Sequence, residues 1–159
     1  MPKQNGKLDQ SDRQILNILQ DDGRITNAKL SKDLGMSPSP MLERVRKLEK
    51  NGYIKKYVAL IDGKRVNRGT IAIVSVSLAI HQPGIVDSFV EHISKLNEVL
   101  ECYHISGEND FLLKVVVSGI DEYRDWVLNK LTPLEGINKI QTSFALRTVK
   151  HTTKIDACE

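Results

Sequence analysis

The chain has 159 residues, 27% of them charged, a composition typical of globular proteins. This length fits one medium domain or two small ones, and no stretch reaches the ~18 apolar residues of a membrane span. The first residues lack the apolar core of a signal peptide, and the two cysteines show no disulfide framework. These features predict a cytoplasmic protein without a membrane partner.

The net charge of +3 is distributed unevenly along the chain. Residues 1–64 contain 13 lysines and arginines against 8 aspartates and glutamates, a net charge of +5. Residues 65–159 contain 10 against 12, a net charge of −2. A basic first half indicates a polyanionic partner, although the same asymmetry can arise by chance on solvated surfaces.

Three helical segments are predicted in the first fifty residues. Asp9 is a suitable N-cap for a helix that runs to about Gln20. Thr26 can cap a short second helix, which Gly35 ends. A third helix is predicted over residues 38–50, because a proline is tolerated in its first turn and Asn-Gly follows it.

The third helix separates apolar and charged residues onto two faces. At 100° per residue, Met41, Leu42, Val45 and Leu48 share the arc that faces a core. The opposite arc is basic and suits DNA phosphates, and free N–H groups at the helix start favour a phosphate as well. Three helices with a short turn before the last are typical of a helix-turn-helix, although a solvated amphipathic helix can carry similar charge.

The segment after the third helix is rich in β-forming residues. Tyr53–Ile61 alternates in polarity and predicts a short hairpin or strand, which would form a wing carrying two lysines. The candidate DNA-contacting residues are therefore Ser37, Pro38, Ser39, Glu43, Arg44, Arg46, Lys47, Lys50, Lys55 and Lys56.

A polar, glycine-bearing stretch at residues 62–70 predicts a linker between domains 1–61 and 71–159. The second domain alternates strand and helix patterns in the order βαββαβ, the ferredoxin-like arrangement. The predicted fold class is therefore α+β, an N-terminal winged helix-turn-helix followed by a C-terminal ferredoxin-like domain. The predicted strands are 71–80, 99–105, 111–117 and 140–146.

The turn between the second and third predicted strands is polar. Ser106, Gly107, Asn109 and Asp110 are common turn formers, so spacing alone favours an ordinary hairpin turn. The same residues also suit an amino-acid zwitterion, because glycine admits a carboxylate to backbone N–H groups and Asp110 can pair with an ammonium. His104 lies on the strand beside this turn.

Short motifs in both halves of the chain resemble one known family. They are Leu8-Asp9-x-x-Asp12, Gly23-Arg24-x-Thr26-Asn27, Ser37-Pro38-Ser39-Pro40, Arg44-Val45, Leu48-Glu49-x-x-Gly52-x-Ile54 and Tyr103-x-x-Ser106-Gly107-x-x-Asp110, with the ending from Thr142 to Lys154. On these motifs, nearly the whole chain resembles the leucine-responsive/asparagine regulators (Lrp/AsnC, or feast/famine, family). The resemblance implies a transcriptional regulator with a winged helix-turn-helix and an amino-acid-binding domain.

The resemblance also implies where an effector would bind. In that family effectors lie near the Gly-x-x-Asp turn at an interface between subunits, and residues of the last strand contribute from a neighbour. Thr142 and Ser143 match those residues here. One departure concerns Glu43, because many relatives carry a basic residue at this position; a carboxylate there could instead accept from a cytosine N4 amino group.

A homodimer is predicted from the apolar strands. A four-stranded sheet with two helices on one face leaves its other face bare, and a two-fold sheet-to-sheet dimer would cover it. The family resemblance implies that such dimers associate further, for example into an octamer. The residues expected to supply the excess apolar surface are Val74, Val76, Val115, Val117, Phe144 and Leu146.

Other functions are open at this point. An enzyme on the ferredoxin-like domain has only Asp110 and His104 as a neighbouring acid–base pair, and a DNA organiser without an effector would use the same basic helix. Cys102 and His104 are too few for a metal site, so no metal, cofactor or catalytic residue is predicted.

Overall fold

The computed structural model describes residues 8–79 and 82–157, and the contacts among them divide the chain into two units. The first unit contains residues 8–60 and the tail from Lys150, and the second contains Ile61–Val149. The expected second domain, 71–159, therefore differs from this division at its end, because the tail groups with the N-terminal residues. The predicted end of the first strand at Ile80 lies outside the described residues.

The first unit has three helices, α1 (Gln10–Asp21), α2 (Asn27–Asp33) and α3 (Pro38–Lys50). Asp9 caps α1 through a reciprocal capping box with Asp12, as its position predicted, and this box satisfies two backbone N–H groups. Thr26 caps α2 by accepting from the Lys29 N–H. The bounds of α3 are those predicted from the sequence.

One small core holds these three helices together. Each helix contributes at least one fully buried apolar side chain, and partly buried residues from the same faces surround them. The order and spacing of the helices confirm the helix-turn-helix. The buried residues are Ile15, Leu30, Met41 and Leu48.

The predicted strand over Tyr53–Ile61 is wrong for this structure, because the segment begins with two bend residues, continues as irregular backbone and pairs with no strand among the described residues. Its alternating pattern exists, but a strand also needs a neighbour for its N–H and C=O groups. A 3₁₀ turn, Gly63–Val66, then lies within the predicted linker.

The second unit contains β1 (Thr70–Leu78), α4 (Pro83–Ser94), β2 (Val99–His104), β3 (Phe111–Val117), α5 (Ile120–Trp126, continued by a π turn at Val127–Leu131) and β4 (Ile137–Phe144). Its antiparallel sheet has the strand order β2-β3-β1-β4. This topology confirms the ferredoxin-like prediction. The last strand begins at Ile137 and not at the predicted residue 140, and it ends at Phe144 and not at the predicted residue 146.

Gly136 explains the early start of β4. It has a φ of 84°, a conformation that glycine adopts without strain, and its carbonyl accepts from the Ala79 N–H at 2.7 Å. A Cβ at this position would lie 2.5 Å from the Ile85 side chain. The residue therefore turns the chain directly into the strand and also allows α4 to pack closely.

The sheet buries one face beneath α4 and α5. Val74, Val76, Val115 and Val117 all lie on that face and have no exposed surface. The expectation that these four valines supply the bare face is therefore wrong, since alternation shows which residues share a face but not which face the helices cover. Phe144 pairs with Ala72 and so shares the face beneath the helices, where its ring packs edge-on against Tyr123. Leu146, the last of the six residues predicted for a dimer surface, is fully exposed.

Candidate nucleic-acid interface and effector turn

The exposed face of α3 presents most of the cations that the sequence predicted. Arg46 and Glu43 are 65% and 74% exposed and form a loose ion pair of 3.5 Å. Lys47 and Lys50 are exposed on the same helix, while Met41 and Leu48 anchor its other side in the core. The helix therefore presents a net positive, solvated surface of the kind that contacts phosphates.

The start of α3 is open to solvent. Ser37 is the N-cap residue but its side chain makes no capping hydrogen bond, and Ser39 is also exposed. Asn27 of α2 donates to the Pro38 carbonyl at 2.8 Å, which fixes the turn between the two helices. Pro38 and Pro40 carry no N–H, so the Ser39 N–H is the free donor of the first turn of α3, and Ser37 does not cap it.

Arg44, which the sequence predicts to contact DNA, joins α3 to the start of α1. Its Nη1 atom lies 2.6 Å from Asp9 Oδ2 and 2.7 Å from Asp12 Oδ1, and its side chain is 32% exposed. Hydrogen bonds to Asp9 and then to Asp12 raise the pKa of the guanidinium. The Asp12 backbone N–H, followed by Arg44, lowers the pKa of Asp9. Arg44 therefore positions the exposed face of α3.

The segment after α3 carries the remaining predicted cations. Lys55 and Lys56 are exposed on irregular backbone. Beside them, the Tyr57 hydroxyl donates to Glu49 of α3 at 3.0 Å and so connects this segment to the helix. Partial burial and the Glu49 carboxylate raise the pKa of Tyr57 to about 12.

The turn between β2 and β3 is held by the end of β1. Asp110 Oδ2 accepts from the Leu78 backbone N–H at 2.7 Å, and the Asp110 N–H donates to the Val76 carbonyl at 3.0 Å. The Ser77 hydroxyl donates to Asn109 Oδ1 at 3.0 Å. Two of the predicted effector-binding residues thus have structural hydrogen bonds within the chain.

The other residues of the turn are more accessible. Gly107 has a φ of 132°, and there is open space where a Cβ would lie. Ser106 is exposed beside it. The His104 ring is stacked on Phe111 with 4.7 Å between ring centroids, so this histidine packs against the sheet. A ligand carboxylate could therefore approach the backbone at Gly107 without a steric barrier.

Thr142 and Ser143 do not lie near the turn within one chain. Thr142 pairs with Val74, four residues along β1 from Leu78, which corresponds to about 13 Å. The Thr142 hydroxyl is hydrogen-bonded to the Tyr123 hydroxyl, whereas Ser143 lies on the opposite, exposed face. A single chain therefore does not assemble the complete predicted effector site.

A groove of about 440 Å³ lies between α4 and the edge strand β2. It includes His104 but none of the residues from Ser106 to Asp110. Within residues 8–79 and 82–157, no three His, Cys, Asp or Glu side chains are grouped as metal ligands, and no helix is long and apolar enough to cross a membrane.

The fold and the basic helix define a helix-turn-helix regulator with a separate α+β domain. Residues 8–55 match the sequence model of winged helix-turn-helix DNA-binding domains, and residues 71–155 match that of the Lrp/AsnC ligand binding domain. The second match alone covers more than half of the chain.

Similar proteins agree over nearly the full length. The leucine-responsive regulatory protein of Escherichia coli K12 is 40% identical, over 96% of this chain and 94% of the relative. A transcriptional regulator of Neisseria meningitidis, solved in complex with L-Met, is 36% identical with a TM-score of 0.90, over 94% of this chain and 96% of that one. An AsnC family regulator of Agrobacterium tumefaciens is 36% identical with a TM-score of 0.89, over 93% and 96%. The chain belongs to the Lrp/AsnC family of DNA-binding transcriptional regulators.

Proposed function

We propose that this regulator binds DNA through the exposed face of α3 and that an amino acid modulates its binding. The observation that carries the proposal is the arrangement of α3, where exposed Arg46, Lys47 and Lys50 lie opposite a buried apolar stripe. Ser37 and Ser39 at its open N-terminus support contacts to phosphates or base edges. The relatives are transcriptional regulators, which supports a regulatory and not an enzymatic function.

The proposed effector site is the turn from Ser106 to Asp110. The Neisseria meningitidis relative was solved with L-Met, which supports an amino acid as the ligand class. The open backbone at Gly107 accepts the carboxylate of this ligand, and the Asp110 carboxylate, already fixed by Leu78, attracts its ammonium. Thr142 and Ser143 complete the site from a second subunit, because one chain keeps them about 13 Å and 17 Å along β1 from the turn.

The proposed assembly is a homodimer that can associate further, for example into an octamer. Leu100 and Tyr103 on β2 and Leu146 after the end of β4 are exposed apolar side chains, 60%, 53% and 100% accessible. Burial of such residues between subunits is favourable. Two copies of α3 related by a two-fold axis would read a pseudo-palindromic operator.

Selection of genomic DNA fragments by the purified chain, with and without each of the twenty amino acids, tests this function. We expect enriched fragments that share a two-fold symmetric motif, and one or more amino acids that change the enrichment. A thermal-shift screen with the same amino acids runs in parallel, since a ligand at about 100 times its Kd stabilises a protein by roughly 2.7 kcal/mol.

Two results would contradict the proposal in different ways. Enrichment without sequence preference and without a thermal shift would favour a DNA organiser that has no amino-acid effector. Absence of DNA binding at low salt would remove α3 from the proposed function altogether.

A further inference from the structure

The C-terminal tail is held along α1 by side chains that bind its backbone. The Gln20 side-chain amide donates to the Ile155 carbonyl at 2.8 Å and accepts from the Ile155 N–H at 2.7 Å. Asn17 Oδ1 accepts from the Ala157 N–H at 3.3 Å, and Arg13 Nη1 donates to the Ala157 carbonyl at 2.6 Å. Alternate tail residues are thus bound through their peptide groups, as they would be at the edge of a sheet.

The side chains that bind the tail form one stripe on α1. Arg13, Asn17, Gln20 and Asp21 follow at i, i+4, i+7 and i+8, a spacing that places them on one helix face. Asp21 adds an ion pair with Lys154 at 2.5 Å. We call these contacts between the stripe and residues 154–157 the tail clasp.

The chain itself joins the two units twice, and the clasp holds the end of the second connection on α1. The chain leaves the first unit after Leu60 and returns to it at Lys150. Phe144 ends β4, and Lys154 follows ten residues later, a distance that extended chain spans only up to about 33–36 Å. A docked tail therefore adds a second restraint on the first unit, besides the chain junction after Leu60.

The same helix, α1, also orients α3. Asp9 and Asp12 at the start of α1 bind Arg44 of α3, while the stripe further along α1 binds the tail. A tail that restrains α1 therefore also restrains α3, the helix that is proposed to enter the DNA groove.

The contacts of the clasp suit reversible docking. Ile155 is 76% exposed, and the Lys154–Asp21 pair is 42% and 62% exposed, so water competes with these contacts. A tethered segment can nevertheless dock through weak contacts because its effective concentration is high. We propose that the tail clasp is a reversible latch that strengthens operator binding by restricting the DNA-binding unit, an inference that rests on the proposed function.

Hydrogen exchange of the tail tests whether the latch forms. In the wild-type chain we expect the amides of Ile155 and Ala157 to exchange on the order of tenfold more slowly than in an unstructured peptide. Asn17→Ala with Gln20→Ala removes their acceptors and should return both amides to the peptide rate. Gln14→Ala, an exposed position of α1 outside the stripe, is the matched control and should keep the protection.

Operator binding tests what the latch does, with a genomic fragment selected by the wild-type chain as the probe. We expect the Asn17→Ala/Gln20→Ala variant, and a chain ending at Val149, to bind this fragment roughly three- to tenfold more weakly. The salt dependence should stay unchanged because no phosphate contact is removed. Asp21→Lys combined with Lys154→Asp reverses the ion pair without changing the net charge and should retain both tail protection and affinity.

Each contrary outcome has a separate meaning. Unprotected tail amides in the wild-type chain would overturn the latch. If the tail amides are protected in the wild-type chain but both Asn17→Ala/Gln20→Ala and the chain ending at Val149 bind the operator with wild-type affinity, the latch forms but does not strengthen operator binding. If the wild-type chain selects no DNA, the proposed function fails first, and the regulatory role of the latch fails with it.

Discussion

The exposed face of α3 and the turn from Ser106 to Asp110 differ in how much of the proposed site one chain provides. On α3, Arg46, Lys47 and Lys50 face solvent and need only a polyanion opposite them. In the turn, Asp110 and Asn109 already have partners at the end of β1, and the side chains expected to complete the site lie elsewhere. A convex surface for an extended polymer can thus be complete in a monomer, whereas a site that surrounds a small molecule needs a second surface.

The largest expected effect comes from removing cations on α3. Arg46→Ala with Lys47→Ala should weaken binding to all DNA sequences by roughly 10- to 100-fold at low salt and reduce the salt slope by about 1.8 for each bound subunit, since each copy of α3 loses two phosphate contacts. Fluorescence anisotropy over a salt series measures both quantities. Lys95→Ala with Arg124→Ala removes the same charge from the helices of the second unit and should change little. Equal losses in the two variants would attribute binding to net charge and not to α3.

A smaller effect is expected at the turn, where two roles of Asp110 can be separated. Asp110→Ala leaves the buried Leu78 N–H without its acceptor and should destabilise the second unit by about 1–3 kcal/mol. Asp110→Asn keeps an acceptor oxygen but removes the charge, so it should fold normally and lose the thermal shift produced by the amino acid identified in the screen. A full thermal shift in Asp110→Asn would show that this carboxylate does not hold the ligand ammonium.

The smallest expected effect concerns the Glu122 carboxylate, which binds Ser118 and Arg68 in the second unit. Ser118, through its hydroxyl and backbone N–H, and then Arg68 lower the pKa of Glu122 to about 2 from an ordinary value of 4.5. Because the folded pKa is depressed, its contribution to stability is fully present above about pH 4.5 and is lost as the pH falls toward 2. Glu122→Gln should therefore flatten this part of the curve of unfolding free energy against pH. An unchanged curve would assign the acid sensitivity to other carboxylates.

Local sequence signals predicted much of the fold. The Asp9 and Thr26 caps, the bounds of α3 and the whole of β3 follow from capping chemistry and hydrophobic periodicity, which act between close neighbours along the chain. The failed strand prediction at Tyr53–Ile61 shows the limit of such signals, because pairing depends on a partner that local pattern does not specify.

The sequence predicted which residues belong to the candidate sites, but not which partners their side chains contact. The sequence identified the basic face of α3, but it could not show that Arg44 binds Asp9 and Asp12, which lie more than thirty residues away along the chain. The partners of Asp110 and the tail clasp depend in the same way on contacts formed only in the folded chain. Which partner a charged or polar side chain binds is decided by the tertiary fold, and the spacing of residues along the sequence does not determine it.

The proposed contact between α3 and DNA is tested most directly by footprinting lysine reactivity on the intact chain. An amine-reactive acylating reagent is applied with and without a selected duplex, and each lysine is quantified by mass spectrometry. We predict that the duplex protects Lys47 and Lys50 strongly, while Lys95 and Lys139 of the second unit react as before. Protection of Lys95 and Lys139 with unchanged reactivity of Lys47 and Lys50 would contradict the assignment of α3 as the DNA-binding helix.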